Sequence, residues 1–238
     1  VRVDLLAADL ARRALRRFAG LAEQARQVLH HRLQHTQLLR PHMQAVPEYA
    51  ALVELVRWID EQTSDLALPT DERTQLALGC FDVALEHQAA ITLLHLARLP
   101  GSMLALLRAL TESLVRGLWL NECATELQLQ KFKDGKLDKP FGALVKEYEE
   151  KIASPSGVLT GFKLSAYAEL NDFTRTGFLQ VSRRHGPGVI GPNYAEADLA
   201  RALEVAGALG LIAAGQIIAI AGRRDLVPAF TQRIARYA

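Results

Sequence analysis

Cysteine is nearly absent from this 238-residue chain, and the two present, Cys80 and Cys123, are too few for a disulfide framework and lack metal-ligand spacing. Each sits in an apolar run with helical character. They read as small core residues of a reduced protein, a disulfide between them being the other reading. Aromatic residues are also scarce, at 6%, and β-branched residues are few beside Leu and Ala. That balance disfavours sheet and favours helix, because unbranched side chains lose little freedom there. No stretch alternates polar and apolar residues as a half-buried strand does. An excess of one charge is missing too. The net charge of +2 excludes strong overall attraction to nucleic acid or anionic lipid, so such binding has to come from local patches.

What is present is the composition of a globular protein, 50% hydrophobic and 23% charged, long enough to bury a substantial core. All seven lysines fall between Lys131 and Lys163, while arginine is spread through the chain. The first segment is amphipathic and Arg-rich, unlike a secretory leader, and the expected location is cytoplasmic. Val205 to Gly222 is apolar apart from Gln216 and is followed by Arg223 and Arg224. It is only just long enough to cross a bilayer, and its Ala and Gly content suits a buried packing helix, so a membrane partner is not expected.

The pattern predicts an all-α protein: an N-terminal αα-hairpin over residues 1–66 and a helical bundle over 67–238. The hairpin consists of a helix over 2–39, ended by Pro41, and a second over 48–62 with Leu52, Leu55, Val56 and Ile59 on one face. Thr70, Asp71 and Glu72 open a helix reaching Arg98. Pro100-Gly101 reads as its stop, and Ser102 as the cap of a helix running to Lys131. Further helices are expected over 141–152, 161–181, 195–222 and 227–237, with a Gly/Pro-rich loop from Arg184 to Asn193.

On the Ser102 helix, Arg108, Glu112 and Arg116 recur every four residues, about 40° apart around the axis, and so form one ladder. Two readings stay open. The ladder is the wet side of the helix, held by Arg–Glu pairs, or it faces a cleft in which two guanidiniums hold phosphate oxygens. Asp82 and Glu86 share a face of the preceding helix, which also carries His87 and His95. A di-metal bundle would need Glu-x-x-His pairs on two helices, and the sequence has none, so such a centre is not expected. His31 and His35 have chelating spacing without a third ligand, and the Arg26-to-His31 spacing is a chance-level match to helical ribonucleases. Neither a metal nor a cofactor is predicted. Gly186-Pro-Gly188-Val-Ile-Gly191 matches a dinucleotide fingerprint only formally, because prolines interrupt it and no βαβ unit surrounds it. Its loop presents Arg183, Arg184 and His185, a basic cluster suited to a phosphate backbone.

Three runs carry a resemblance: Phe81-Asp82-Val83-Ala84-Leu85-Glu86-His87, the Arg108-x-x-x-Glu112-x-x-x-Arg116-Gly-x-Trp119 motif, and Leu170-Asn171-Asp172-Phe173-Thr174, with the later Arg183-Arg184 and Pro192-Asn193-Tyr194. Together they resemble an uncharacterised family of bacterial all-helical proteins, itself distantly similar to the HEPN superfamily of nucleotide-binding and ribonuclease-like bundles. The resemblance implies an RNA- or nucleotide-directed effector of toxin or phage-defence type. Arg108, Glu112, Arg116, Asn171, Asp172 and Arg175 would converge on one cleft, and any catalysis would be metal-independent RNA cleavage. Relatives tend to carry His where this chain has Arg175, and a guanidinium stays protonated and cannot act as general base. The other expectation is a non-catalytic interaction or dimerisation module, in which the ladder is structural and the hairpin forms a homodimer or partner interface.

Overall fold

The protein is described by a computed structural model over residues 47–152, 157–186 and 188–235. The expected helix over 2–39, with Arg26, His31 and His35, lies outside them. Ten α-helices occur among the described residues. α1 (Pro47–Thr63) is followed by α2 (Glu72–Leu96), α3 (Pro100–Glu122), α4 (Glu126–Lys133) and α5 (Phe141–Lys151). Then come α6 (Val158–Phe162), a π-helical turn (Lys163–Tyr167), α7 (Ala168–Thr174) and α8 (Phe178–Ser182). Two-residue strands His185–Gly186 and Val189–Ile190 pair as an antiparallel hairpin. α9 (Glu196–Ile220) and α10 (Val227–Ile234) finish the bundle. Both cysteines are free.

α3 is the central helix. It buries Met103, Leu107, Leu110, Leu114, Leu118 and Trp119 and packs against α2, α5, α7 and α9. α9 lies on α1, α2 and α3, and close approach to α2 depends on Gly210, where a Cβ would collide with the buried Gln88. Gln88 in turn donates to the Ala206 carbonyl at 3.1 Å. α2 and α9 are each long and apolar enough to cross a membrane. Their apolar faces pack within the helical core. α1 places Leu52, Leu55 and Ile59 in the common core.

Several expected boundaries move, each for a local reason. Pro100 and Gly101 start α3 instead of stopping α2: Pro occupies the first helical position, where its missing N–H is no loss, and Leu99 rather than Ser102 stands at the cap. The turn between the two helices is made at Arg98, with φ 58°. α3 ends at Glu122, because Thr125 and Gln128 form a reciprocal capping box that opens α4. Arg73 seals that junction, donating to the Leu120 and Ala124 carbonyls at 3.0 and 2.6 Å and pairing with Glu126 at 2.6 Å. A cation on the carboxyl end of a helix is favourably placed. The single helix expected over 161–181 is broken at Thr176, with φ 55°, and at Gly177.

Candidate anion-binding site

The expected ladder on α3 divides into two environments. Arg108 Nε donates to Glu112 Oε1 at 2.7 Å, and Arg108 Nη1 donates to Thr174 Oγ1 at 2.7 Å. The Tyr167 hydroxyl donates to the same Glu112 oxygen at 2.5 Å. The guanidinium lies 5.4 Å from the Tyr167 ring centre, and that ring stacks on Phe141 at 4.1 Å. Burial pulls the Arg108 pKa down, but the hydrogen bond and charge of Glu112 carry it above its ordinary value. Burial also raises Tyr167, and its bond to Glu112 raises it further. Arg108 and Glu112 thus fasten α3 to the π-helical turn and α7. Their hydrogen-bonding capacity is turned toward protein.

The rest of the motif is also explained by packing. Gly117 lets Phe81 of α2 lie so close that an added Cβ would stand 2.6 Å from its ring. Trp119 is fully buried, and its indole N–H donates to Glu147 Oε2 at 2.7 Å. Lys139 also binds Glu147 and lies 5.0 Å from the Trp119 ring. Those two donors hold the Glu147 carboxyl below its usual value. Arg116 makes no hydrogen bond or ion pair among the described residues; its Nε is buried and unpartnered, and its guanidinium lies 5.9 Å from the Phe132 ring.

Asn171, Asp172 and Arg175 lie on and just after α7, which Arg108 reaches through Thr174. Asp172 accepts from the Leu179 amide and caps α8, and Gly177 has no room for a side chain because the Asp172 carboxylate fills it. The Asn171 carbonyl accepts from Thr174 Oγ1 at 2.9 Å and from the Arg175 amide at 3.2 Å. Arg175 itself is exposed. Among the described residues no group of His, Cys, Asp and Glu is arranged to hold a metal. His95 is buried, not hydrogen-bonded through Nε2, and stacked on Tyr49 at 5.1 Å. Desolvation, and then Arg98, lowers its pKa.

The basic cluster after α8 also divides. Arg183 Nη1 pairs with Asp198 Oδ2 at 2.6 Å and lies 5.6 Å from the Tyr194 ring, which makes it a brace to α9. His185 is exposed, and its carbonyl accepts from Asn193. Arg184 points the other way, to the start of α3. A Cβ on Gly101 would stand 2.6 Å from Arg184 Nη2, 3.1 Å from Tyr194 Oη and 3.4 Å from Gln180 Nε2. The Tyr194 hydroxyl is buried and unpartnered there. Leu99 supplies no side-chain cap, so the amides of Gly101 and Ser102 are open. The positive end of a 23-residue helix therefore meets Arg184, whose guanidinium has no carboxylate partner among the described residues.

Sequence reasoning reached Arg184 as a site residue but not Gly101, Gln180 or Tyr194. A proline followed by glycine at a helix start was the available signal, since it leaves the first amides without a capping side chain.

A family of unknown function, DUF6988, matches residues 81–238. The chain belongs to that family. The match takes in the α3 motif, the Asp172 cap and the Arg184 cluster, and leaves α1 outside it. No curated protein and no solved structure matches the chain.

Proposed function

We propose that this DUF6988 member binds the phosphate of an RNA strand or a nucleotide at the start of α3, as a HEPN-like module that holds its ligand without cleaving it. One observation carries the reading: Arg184 stands with the open amides of α3, and among the described residues no counter-charge pairs with it. A cation at a helix N-terminus is unfavourable alone, whereas an anion there gains both the amide hydrogen bonds and the guanidinium. Tyr194 Oη and Gln180 Nε2 supply further donors. Phe178 opens α8 with 85% of its surface exposed, and His185 is exposed on the adjoining hairpin. An exposed aromatic close in the chain to a free arginine is the combination on which unstacked bases rest.

Binding is favoured over catalysis because the groups suited to acid–base work are committed elsewhere. Glu112 is held by Arg108 and Tyr167, and Asp172 caps α8. Fluorescence anisotropy with a fluorescein-labelled single-stranded RNA tests the reading. Wild-type protein should bind at low salt and leave the RNA intact on a gel, and Arg184→Gln and Phe178→Ala should each weaken binding. Competition by adenosine monophosphate distinguishes a nucleotide ligand from a strand. Affinity unchanged by Arg184→Gln would remove the assignment.

A further inference from the structure

Arg116 is left over once the α3 motif has been accounted for. It borders a groove of 460 Å³ between α2, α3 and α4, walled by Leu76, Val83 and Phe132, a volume in the range of small-molecule sites. From Gly101 to Arg116 is 15 residues, about 22 Å along α3, so the groove is separate from the phosphate site and does not depend on it.

We propose that this groove binds a small amphipathic anion, a carboxylate carried on an apolar body, with Arg116 as its charge partner. Three features of the groove point to such a ligand. A guanidinium whose Nε is shut off from solvent, with no hydrogen bond or ion pair, faces apolar walls, an arrangement that an entering carboxylate completes. Glu112 also lines the groove, but its charge is already opposed by Arg108. One guanidinium balances one negative charge, which suits a carboxylate better than a phosphate dianion.

The second feature is Gly79, which lies in the interior of α2 where glycine disfavours helix relative to alanine. Gly117 and Gly210 are explained by Phe81 and Gln88 pressing on them, but a Cβ on Gly79 would meet nothing within 4 Å. Gly79 is exposed at the groove, so a larger side chain placed there has room to fill it. The third is the remaining polar lining. Among the described residues the Ser113 hydroxyl makes no hydrogen bond, which leaves it as a second donor to the carboxylate, while burial holds the Cys80 thiol protonated and neutral.

Isothermal titration with 4-phenylbutyrate and its uncharged analogue 4-phenylbutyramide tests this. Wild-type protein should bind the carboxylate saturably at one site, about tenfold or more tighter than the amide, the discrimination expected of one charge-assisted pair. Arg116→Gln should bring the two ligands to equal affinity. Gly79→Leu should abolish binding of both without lowering the melting temperature, since there is space for the new side chain and it lies in a helix-favouring context. Equal affinity of wild type for the two ligands, no saturable binding, or binding indifferent to both substitutions would overturn the proposal. The RNA titrations are independent of these outcomes, so failure here leaves the phosphate site standing.

Discussion

Replacing Glu112 by Ala removes the acceptor shared by Arg108 and Tyr167 and leaves the guanidinium facing only Thr174. Hydrogen bonds to a charged group contribute roughly 1.5–3 kcal/mol when sheltered, whereas exposed pairs four apart on a helix give about 0.3–0.5 kcal/mol. Side-chain exposures of 18% for Arg108 and 31% for Glu112 lie between those regimes. The expected loss for Glu112→Ala is about 2 kcal/mol, which for a unit of this size lowers Tm by roughly 4–8 °C. Urea unfolding followed by circular dichroism supplies the measurement, with Arg108→Ala and the double variant completing a cycle. Because Arg108 and Glu112 share one network, the coupling should be about 1 kcal/mol. A loss below about 0.5 kcal/mol for Glu112→Ala, or strict additivity in the cycle, would refute the view that this pair fastens α3 to α7.

Asp172→Ala removes the cap of α8, and Gly177→Ala displaces the same carboxylate, so each should destabilise by about 1 kcal/mol and the double variant by clearly less than their sum. Additive losses in denaturant melts would contradict that shared cause. His95 is held neutral by burial, so as pH falls below about 6.5 the unfolded chain takes up a proton before the folded one does, and stability should drop. His95→Leu should flatten the dependence of unfolding free energy between about pH 7 and pH 5; an unchanged slope would show that other groups set it. Burial pushes the Cys80 thiol up to about 11, leaving about one thiolate in a thousand at pH 8. In a Cys123→Ser background Cys80 should therefore react with a disulfide reagent far more slowly in the folded protein than in urea, and equal rates would place it outside the core.

Much of the fold was legible because helical periodicity and stop signals are local. Leu52, Leu55 and Ile59 marked α1 to within a residue at either end, and the flanks of α9 were equally plain. Errors arose where two local rules competed. Pro100-Gly101 satisfies both a stop and a start pattern, and only the fold decides that Pro100 opens α3. The apolar spacing of residues 161–181 continues through the break at Gly177, which is imposed by Asp172 occupying the space a side chain would take. The site was legible only in part, for the same reason. The four-residue spacing of Arg108 and Glu112 predicts their pairing, but their partner Tyr167 is 55 residues from Glu112. Nothing in the local pattern brings Arg184 to Gly101.

The salt dependence of RNA affinity tests the phosphate reading most directly, because each guanidinium that neutralises a phosphate releases counterions from the strand. For single strands each contact contributes about 0.7 to the slope of log affinity against log salt. If Arg184 holds a phosphate, an Arg184→Gln variant should bind more weakly and lose about 0.7 from the wild-type slope. A variant with the wild-type slope and affinity would contradict the assignment of the α3 N-terminus as the phosphate site.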